Sequence, residues 1–361
     1  MEAARAIEAT GELSQQTPVY ATLMATEAAE TPYGMQRQLA EVQETLSKLS
    51  KRLQSNPPRL IVTCGRGSSD HAGVFARYIL ELGLGIPTTS ATPSTLSVYG
   101  VETQLKDCLV LLISQSGESP DLVNYAESAQ RSGALTVGLI NCDTSAPLAK
   151  HCDYVLPLCA GPEQAVAATK SYLCTLFLAL QIKASWTANQ NDQLALQQLP
   201  EHMQQARALD WTVAVDTLEA ENNLLVLGRG PGLGVAHEIA LKFKETCGLH
   251  AESFSAAEVL HGPLAMIKSG FPVLILDQGD ESAASISTAA RRLLAAGATV
   301  LMASAKPVKG CIMLPVLKEV APDCALLTQV QSAYFMIEAL SRRRGYCPDA
   351  PAHIAKVTKT L

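Results

Sequence analysis

Residues 59–100 read RLIVTCGRGSSDHAGVFARYILELGLGIPTTSATPSTLSVYG, and residues 223–262 read NLLVLGRGPGLGVAHEIALKFKETCGLHAESFSAAEVLHG. The two stretches align with each other, because the turn Gly65-Arg66-Gly67 corresponds to the turn Gly228-Arg229-Gly230 at an offset of 163 residues (65 to 228). Agreement in nearly one register over such a length indicates two copies of one domain.

The alignment continues, since Val110 corresponds to Val273 and a third apolar run matches after a slip of about one residue. The predicted β-runs are Leu60–Cys64, Leu109–Ile113 and Leu135–Ile140, then Leu224–Leu227, Pro272–Leu276 and Thr299–Ala303; the predicted helices are Ala72–Leu82 and Ser119–Ser132, then Val235–Cys247 and Ala283–Ala296. This alternation predicts right-handed βαβ units and a parallel sheet covered by helices on both faces. The fold class is therefore α/β, with two tandem domains that are each a flavodoxin-like three-layer sandwich.

The predicted organisation has four parts. They are an N-terminal segment (1–35), a first domain (36–200), a second domain (201–345) and a C-terminal tail that closes the active site (346–361). A Gln-rich helical stretch, Gln190–Ala208, connects the two copies.

Composition excludes several classes of function. The net charge of −6 and the isoelectric point of about 5.7 argue against binding to nucleic acid or to an anionic membrane surface. No apolar run approaches the length of a membrane span, and the N-terminus lacks the pattern of a signal peptide, so a cytoplasmic location is expected. Ten cysteines without a C-x-x-C pair, and seven histidines without zinc-type spacing, predict reduced thiols, no metal and no cofactor.

Two polar loops follow adjacent predicted strands of the first copy. Gly65–Ser69 follows one strand and Ser114–Ser119 follows the next, and each leads into a helix. Free N–H groups at a helix start, together with hydroxyls, form a neutral cradle suited to a phosphate monoester. Each loop by itself is better explained as an ordinary helix-capping turn without a ligand, but both at one sheet edge favour phosphate binding. Neither loop is a Walker loop or G-x-G-x-x-G, which disfavours a nucleotide.

The second copy has acidic or proline-containing loops at the same places and carries ionisable groups instead. Glu238, Lys242 and Glu245 are spaced i, i+4, i+7 on one helix, and the segment containing His261 follows. One interpretation is a surface stripe of salt bridges. The other is an acid–base pair formed where a carboxylate and a histidine converge in a pocket.

These motifs resemble the isomerase half of glucosamine-6-phosphate synthase, which is built from two sugar-isomerase (SIS) domains. The resemblance extends from about Met24 to Leu361. The matching motifs are the Cys-Gly…Gly-Ser-Ser loop, Ser-Gln-Ser-Gly-Glu-Ser, Val166-Ala-Ala-Thr-Lys170, Glu238-Ile-Ala-Leu-Lys-Phe-Lys-Glu245, Glu258-Val-Leu-His-Gly-Pro263 and Ile354-Ala-Lys-Val-Thr358.

The resemblance implies a role for each matching residue. The sugar phosphate would be held by Ser69, Ser114, Gln115, Ser116 and Ser119. Glu245 would move a proton between C1 and C2 of the open-chain sugar, and Glu238 would orient Lys242, which assists proton movement between sugar oxygens. His261 would help to open the pyranose ring from across a homodimer interface with shared active sites. Lys356 would approach the sugar carbonyl, where its amine could form an imine. Val166 and Ala355 would line the sugar.

Two departures from the family pattern shape the functional expectation. Ala168 stands where the family usually has serine, and the chain shows no glutaminase half. The same chemistry without glutamine is that of a glucosamine-6-phosphate deaminase, which yields fructose 6-phosphate and ammonia. A fructosamine-6-phosphate deglycase, a galactosamine-6-phosphate deaminase, a ketose–aldose isomerase and a non-catalytic sugar-phosphate sensor remain open alternatives.

Overall fold

The structure, a computed structural model, describes residues 21–141, 145–354 and 356. The α-helices are α1 Leu23–Ala29, α2 Thr31–Glu41, α3 Gln43–Ser55, α4 Ser68–Leu84, α5 Pro93–Ser97, α6 Pro120–Arg131, α7 Lys170–Thr187, α8 Gln190–Ala206, α9 Thr212–Leu218, α10 Gly232–Cys247, α11 Ala283–Ala295 and α12 Pro322–Arg343. The strands are β1 Leu60–Cys64, β2 Thr88–Ser90, β3 Cys108–Ser114, β4 Leu135–Ile140, β5 Tyr154–Pro157, β6 Asn223–Gly228, β7 His250–Ser255, β8 Pro272–Leu276, β9 Thr299–Ala303 and β10 Ile312–Leu314. Short 3₁₀ helices span Pro147–His151, Glu258–His261 and Pro263–Met266.

The strands form two five-stranded sheets in which every pairing is parallel. Their orders are β2-β1-β3-β4-β5 and β10-β9-β8-β6-β7. Counted within each half of the chain, both are the 2-1-3-4-5 order of doubly wound, flavodoxin-like folds. The predicted α/β class, with two parallel sheets flanked by helices, is confirmed.

The two sheets also share their strand register. Val62 pairs with Val110 in the first sheet, and Leu225 pairs with Val273 in the second, each residue shifted by the same offset. The next pairing differs by one residue, since Leu109 is opposite Leu135 whereas Pro272 is opposite Thr299. The one-residue slip in the sequence alignment therefore corresponds to a shift of one residue in the pairing of β9 with β8.

The turns that lead from β1 into α4 and from β6 into α10 are shorter than predicted from the sequence. Helix α4 begins at Ser68 rather than Ala72, and α10 begins at Gly232 rather than Val235. A Cβ at Gly65 would lie 2.7 Å from the carbonyl carbon of Ser69, and one at Gly228 would lie 2.1 Å from the carbonyl oxygen of Gly232. Only glycine fits such a turn, because the helix backbone folds directly over it. Each helix N-terminus is thereby placed immediately at the end of its strand.

A layer of helices lies between the two sheets. Helices α4, α7, α10 and α12 contact one another, and a single buried apolar cluster runs from the first sheet through them to the second. Helix α7 is buried around almost its whole circumference, which explains its nearly uniform apolar sequence. Two smaller clusters cover the outer faces of the sheets.

Helices α4 and α10 cross at backbone contact. A Cβ at Gly234 would lie 2.6 Å from the backbone nitrogen of Phe75, and the Tyr172 hydroxyl donates to the Gly234 carbonyl at 3.2 Å. A small residue at this crossing lets the first half of the chain approach the second closely enough for side chains one turn away to meet.

The first described residues pack onto the end of the chain. Thr22 donates to Glu338 on α12 at 3.1 Å, and the backbone N–H groups of Leu23 and Met24 each donate to Asp349 at 2.8 Å. The four-part division with boundaries at 35, 200 and 345 stays a prediction. Among the helices that the structure describes, none combines the length and apolarity that crossing a bilayer requires.

Candidate functional site

A cavity of about 140 Å³ opens at the carboxyl ends of the strands of the first sheet. Its lining comes from the turn after β1, the turn after β3, the loop before α7, α7 itself and the C-terminal tail. The lining residues are Arg66, Ser68, Ser69, Gln115, Leu158, Val166, Ala168, Ser171, Tyr172, Thr175 and Lys356. This is the sheet edge at which open α/β folds bind ligands.

Two of the five predicted phosphate residues, Ser69 and Gln115, line this cavity. The other three do not line the cavity; they lie at the end of β3 and in the segment that leads from it into α6. Ser114 accepts a hydrogen bond from the N–H of Gly117 at 2.9 Å, and Ser116 accepts one from the N–H of Glu118 at 3.2 Å. Ser119 is the N-cap residue of α6. The hydroxyls of Ser114 and Ser116 therefore stabilise the loop that presents Gln115.

Arg66 gives the cavity a positive charge that the sequence reasoning missed when it treated the cradle as neutral. Its Nε and Nη2 atoms lie 2.7 and 2.6 Å from Oδ2 of Asp121, whose side chain is fully buried at the start of α6. The guanidinium is itself 45% exposed. A buried carboxylate thus holds the guanidinium in place between the two polar turns, with other N–H groups left for an anion.

Lys356, the predicted tail lysine, also lines the cavity. Its Nζ lies 2.6 Å from the carbonyl oxygen of Ala165 and 3.2 Å from Glu163 Oε2. Burial raises the pKa of Glu163, but Lys356 and hydrogen bonds from Ser171 and Thr169 outweigh burial and hold that pKa below its usual value. Glu163 is therefore an ionised partner that fixes the lysine, and the sequence analysis did not identify it.

Predictions for the sugar-lining residues have separate outcomes. Val166 lines the cavity, as does Ala168, the residue at which the sequence departs from the family pattern. Ala355 lies outside the described residues.

The predicted acid–base residues form a chain along α10. Lys242 Nζ lies 2.6 Å from Glu245 Oε2 and 3.4 Å from Glu238 Oε1. Glu238 and Lys242 are fully buried, whereas the Glu245 side chain is 21% exposed. The interpretation of these charges as a surface salt-bridge stripe is therefore wrong.

Electrostatics keep the buried members of this chain charged. Burial raises the pKa of Glu238, but Lys242, His71 and Ser68 more than offset it and lower that pKa. Burial likewise lowers the pKa of Lys242, and the two neighbouring glutamates outweigh it and raise that pKa. At neutral pH, Glu238 is therefore a carboxylate and Lys242 an ammonium, both in the interior. The series ends at the side chain of Glu245, which solvent can reach.

One residue connects the cavity to this chain. Ser68 lines the cavity, and its hydroxyl donates to Glu238 Oε1 at 3.1 Å. His71, one turn further along α4, has Nδ1 3.1 Å from Glu238 Oε2, and the Tyr334 hydroxyl donates to Oε1 at 3.3 Å. The turn predicted to bind the phosphate, in the first half, and the helix that carries the predicted acid–base residues, in the second half, therefore meet at Glu238.

His261 does not reach the cavity within one chain. It ends the short helix Glu258–His261 and is exposed. Its expected contribution from across a homodimer interface stays a prediction.

Comparison with known proteins agrees with this architecture. The model of the SIS domain matches residues 56–183 and 217–307. A glutamine–fructose-6-phosphate aminotransferase [isomerizing] of Symbiobacterium thermophilum is 32% identical over 318 residues, which are 82% of this chain and 50% of that protein. The chain thus spans about half the length of the curated relatives it matches.

Two solved structures extend the comparison. A candidate phosphosugar isomerase from Silicibacter pomeroyi DSS-3 is 39% identical, with a TM-score of 0.86 over 91% of this chain and 100% of that one. The C-terminal domain of the glucosamine-fructose-6-phosphate aminotransferase of Francisella tularensis is 21% identical, with a TM-score of 0.80 over 92% of this chain and 99% of that one. Together with the matched domain model, these similarities establish that the chain belongs to the SIS-domain family.

Proposed function

We propose that this protein is a glucosamine-6-phosphate deaminase of the isomerising type, which converts glucosamine 6-phosphate and water to fructose 6-phosphate and ammonia. The relatives that carry "isomerizing" and "phosphosugar isomerase" in their names support isomerase chemistry on a sugar phosphate. The observation that carries the proposal is the junction at Ser68, where a cationic, hydroxyl-lined cavity adjoins the buried pair Glu238 and Lys242, which continues to the partly exposed Glu245.

The phosphate would occupy the end of the cavity formed by the two polar turns. There Arg66 supplies charge, Ser69 supplies a hydroxyl at the start of α4, and Gln115 supplies an amide. Charge-assisted hydrogen bonds from such groups, added to the helix N-terminus, favour a dianion over a neutral sugar. Anchoring the phosphate would orient the remaining carbons toward Lys356, which lines the same cavity.

The chemistry then needs one base that works at two adjacent carbons. Glu245 would remove the proton from C2 of the open-chain amino aldose and return it to C1, which leaves an imine at C2. Water would add to that imine and release ammonia, giving the C2 ketone. Lys242 would move protons between the sugar oxygens, and Lys356 would approach the carbonyl carbon. His261 of a second copy would assist ring opening, so the proposal includes a homodimer.

The test incubates the purified protein with glucosamine 6-phosphate and measures ammonia and fructose 6-phosphate in separate coupled assays. We expect equal amounts of both products. The variant E245Q should lose turnover while binding fructose 6-phosphate as the wild type does, because the amide preserves shape but cannot accept the proton. Wild-type turnover by E245Q would reject Glu245 as the base, and absence of ammonia release would reject the deaminase.

A second candidate is an aldose–ketose isomerase that acts on a sugar phosphate without releasing an amine. The 39% identity to the candidate phosphosugar isomerase over its entire length favours it. The same preparation should then interconvert a hydroxylated aldose phosphate and its ketose while releasing no ammonia from amino sugars. A panel that includes galactosamine 6-phosphate and fructosamine 6-phosphate distinguishes the other substrates.

A further inference from the structure

The carboxylate of Glu238 is unusual in having donors from three helices. It is completely buried. Its donors are Ser68 and His71 on α4, Lys242 on its own helix α10, and Tyr334 on α12. Because an ionised carboxylate only accepts, the Nδ1 atom of His71 carries the proton in this contact.

These donors bear on the placement of Lys242. Its ammonium lies 3.4 Å from the buried Glu238 but 2.6 Å from the partly exposed Glu245. Attraction is stronger in a poorly solvated interior, so Coulomb forces alone would draw the ammonium toward Glu238. Oε1 of Glu238 already accepts from Ser68 and Tyr334, and Oε2 is occupied by His71. The occupied carboxylate leaves the ammonium to bond Glu245.

We propose that His71 is a positioning residue: its N–H, donated to Glu238, holds Lys242 turned toward Glu245. Ser68 acts on the same carboxylate from the lining of the cavity, so the anion-binding turn and the proton-transferring groups share one anchor. The change in kcat that we expect from this inference rests on the proposed function. Its structural consequence rests on the contacts of Glu238 alone.

The kinetic test compares H71A, H71N and the control H250A, which alters an exposed histidine at the start of β7. H71A should lower kcat about 10- to 100-fold, the effect of losing a hydrogen bond to a charged group, and leave KM nearly unchanged. H71N should recover most of kcat, because its amide N–H starts from the same Cγ position as Nδ1. H250A should match the wild type.

A crystal structure of H71A gives a readout that does not depend on turnover. We expect Lys242 Nζ to move away from Glu245 and to lie closer to Glu238 than the 3.4 Å of the wild type. If the wild type releases no ammonia, the proposed function has failed and this structure alone decides the positioning role. Should H71A fail to fold, H71L removes the same donor while retaining more of the side-chain volume and takes its place in both measurements. An ammonium that stays on Glu245, or an H71N enzyme no better than H71A, overturns the inference.

Discussion

Replacing Gly234 with alanine should push α4 away from α10 and so disable the acid–base chain. The new Cβ would lie 2.6 Å from the backbone nitrogen of Phe75 and 2.7 Å from the carbonyl oxygen of His71. Van der Waals contact needs about 3.5 Å, so the helices must part by roughly 0.9 Å. Such overpacking typically costs about 1–3 kcal/mol, from which the better helix propensity of alanine subtracts up to about 1 kcal/mol.

The functional loss should exceed the loss of stability. The contact between His71 and Glu238, 3.1 Å in the wild type, would lengthen to about 4 Å, beyond a hydrogen bond. Misplacement of catalytic groups by about 1 Å can cost about 100-fold in rate. We therefore expect G234A to remain folded, with a net loss of about 0–2 kcal/mol in unfolding free energy and a kcat at least about tenfold lower.

Urea unfolding and ammonia release, measured on the same preparations, check this prediction. Gly83→Ala is the matched control, because it lies on the same helix α4 and its Cβ would also be crowded, 2.9 Å from Cγ and Cδ of Lys183, but away from the contact with Gly234. G83A should retain wild-type kcat even where it lowers the unfolding free energy. Wild-type kcat in G234A, or an equal loss in both variants, would refute the argument from helix separation.

Two further outcomes follow from the charges of the site. Arg66→Ala should raise KM for the phosphorylated substrate about 10- to 100-fold and change kcat less, because it removes a cation from the anion end of the cavity; steady-state kinetics check this, and unchanged KM would contradict it. Burial, reinforced by the nearby His71, lowers the pKa of His237 to about 4, so this imidazole takes up a proton only on unfolding between pH 4 and its ordinary pKa. The wild type should therefore lose about 2 kcal/mol of unfolding free energy between pH 7 and pH 5 that His237→Gln does not lose; equal losses in urea titrations would contradict it.

The parts of the fold that were predictable are those that local sequence determines. The run Cys108–Ser114 is apolar on both faces, as a central parallel strand must be, and it was recognised as one. The edge strands Thr88–Ser90 and Ile312–Leu314 were missed, because three residues with one covered face carry no periodic signal.

The residues of the candidate site also fall into those that local sequence predicts and those that it does not. Ser69 and Gln115 were found because their loops follow recognisable strands. Arg66 and His71 were missed because their roles depend on buried partners far along the chain, Asp121 and Glu238, which only the folded structure brings near.

The donors around Glu238 also have a consequence for how the halves of the molecule recognise each other. Ser68 and His71 precede this carboxylate by more than 160 residues, in the other copy of the domain. Halves that meet in a wrong orientation would trap an ionised group among apolar neighbours, at a cost of several kcal/mol. The buried charge of Glu238 should therefore also disfavour incorrect packing of the two halves against each other. A chimera joining the front half of one relative to the rear half of another would need a hydroxyl and an imidazole facing its own version of Glu238.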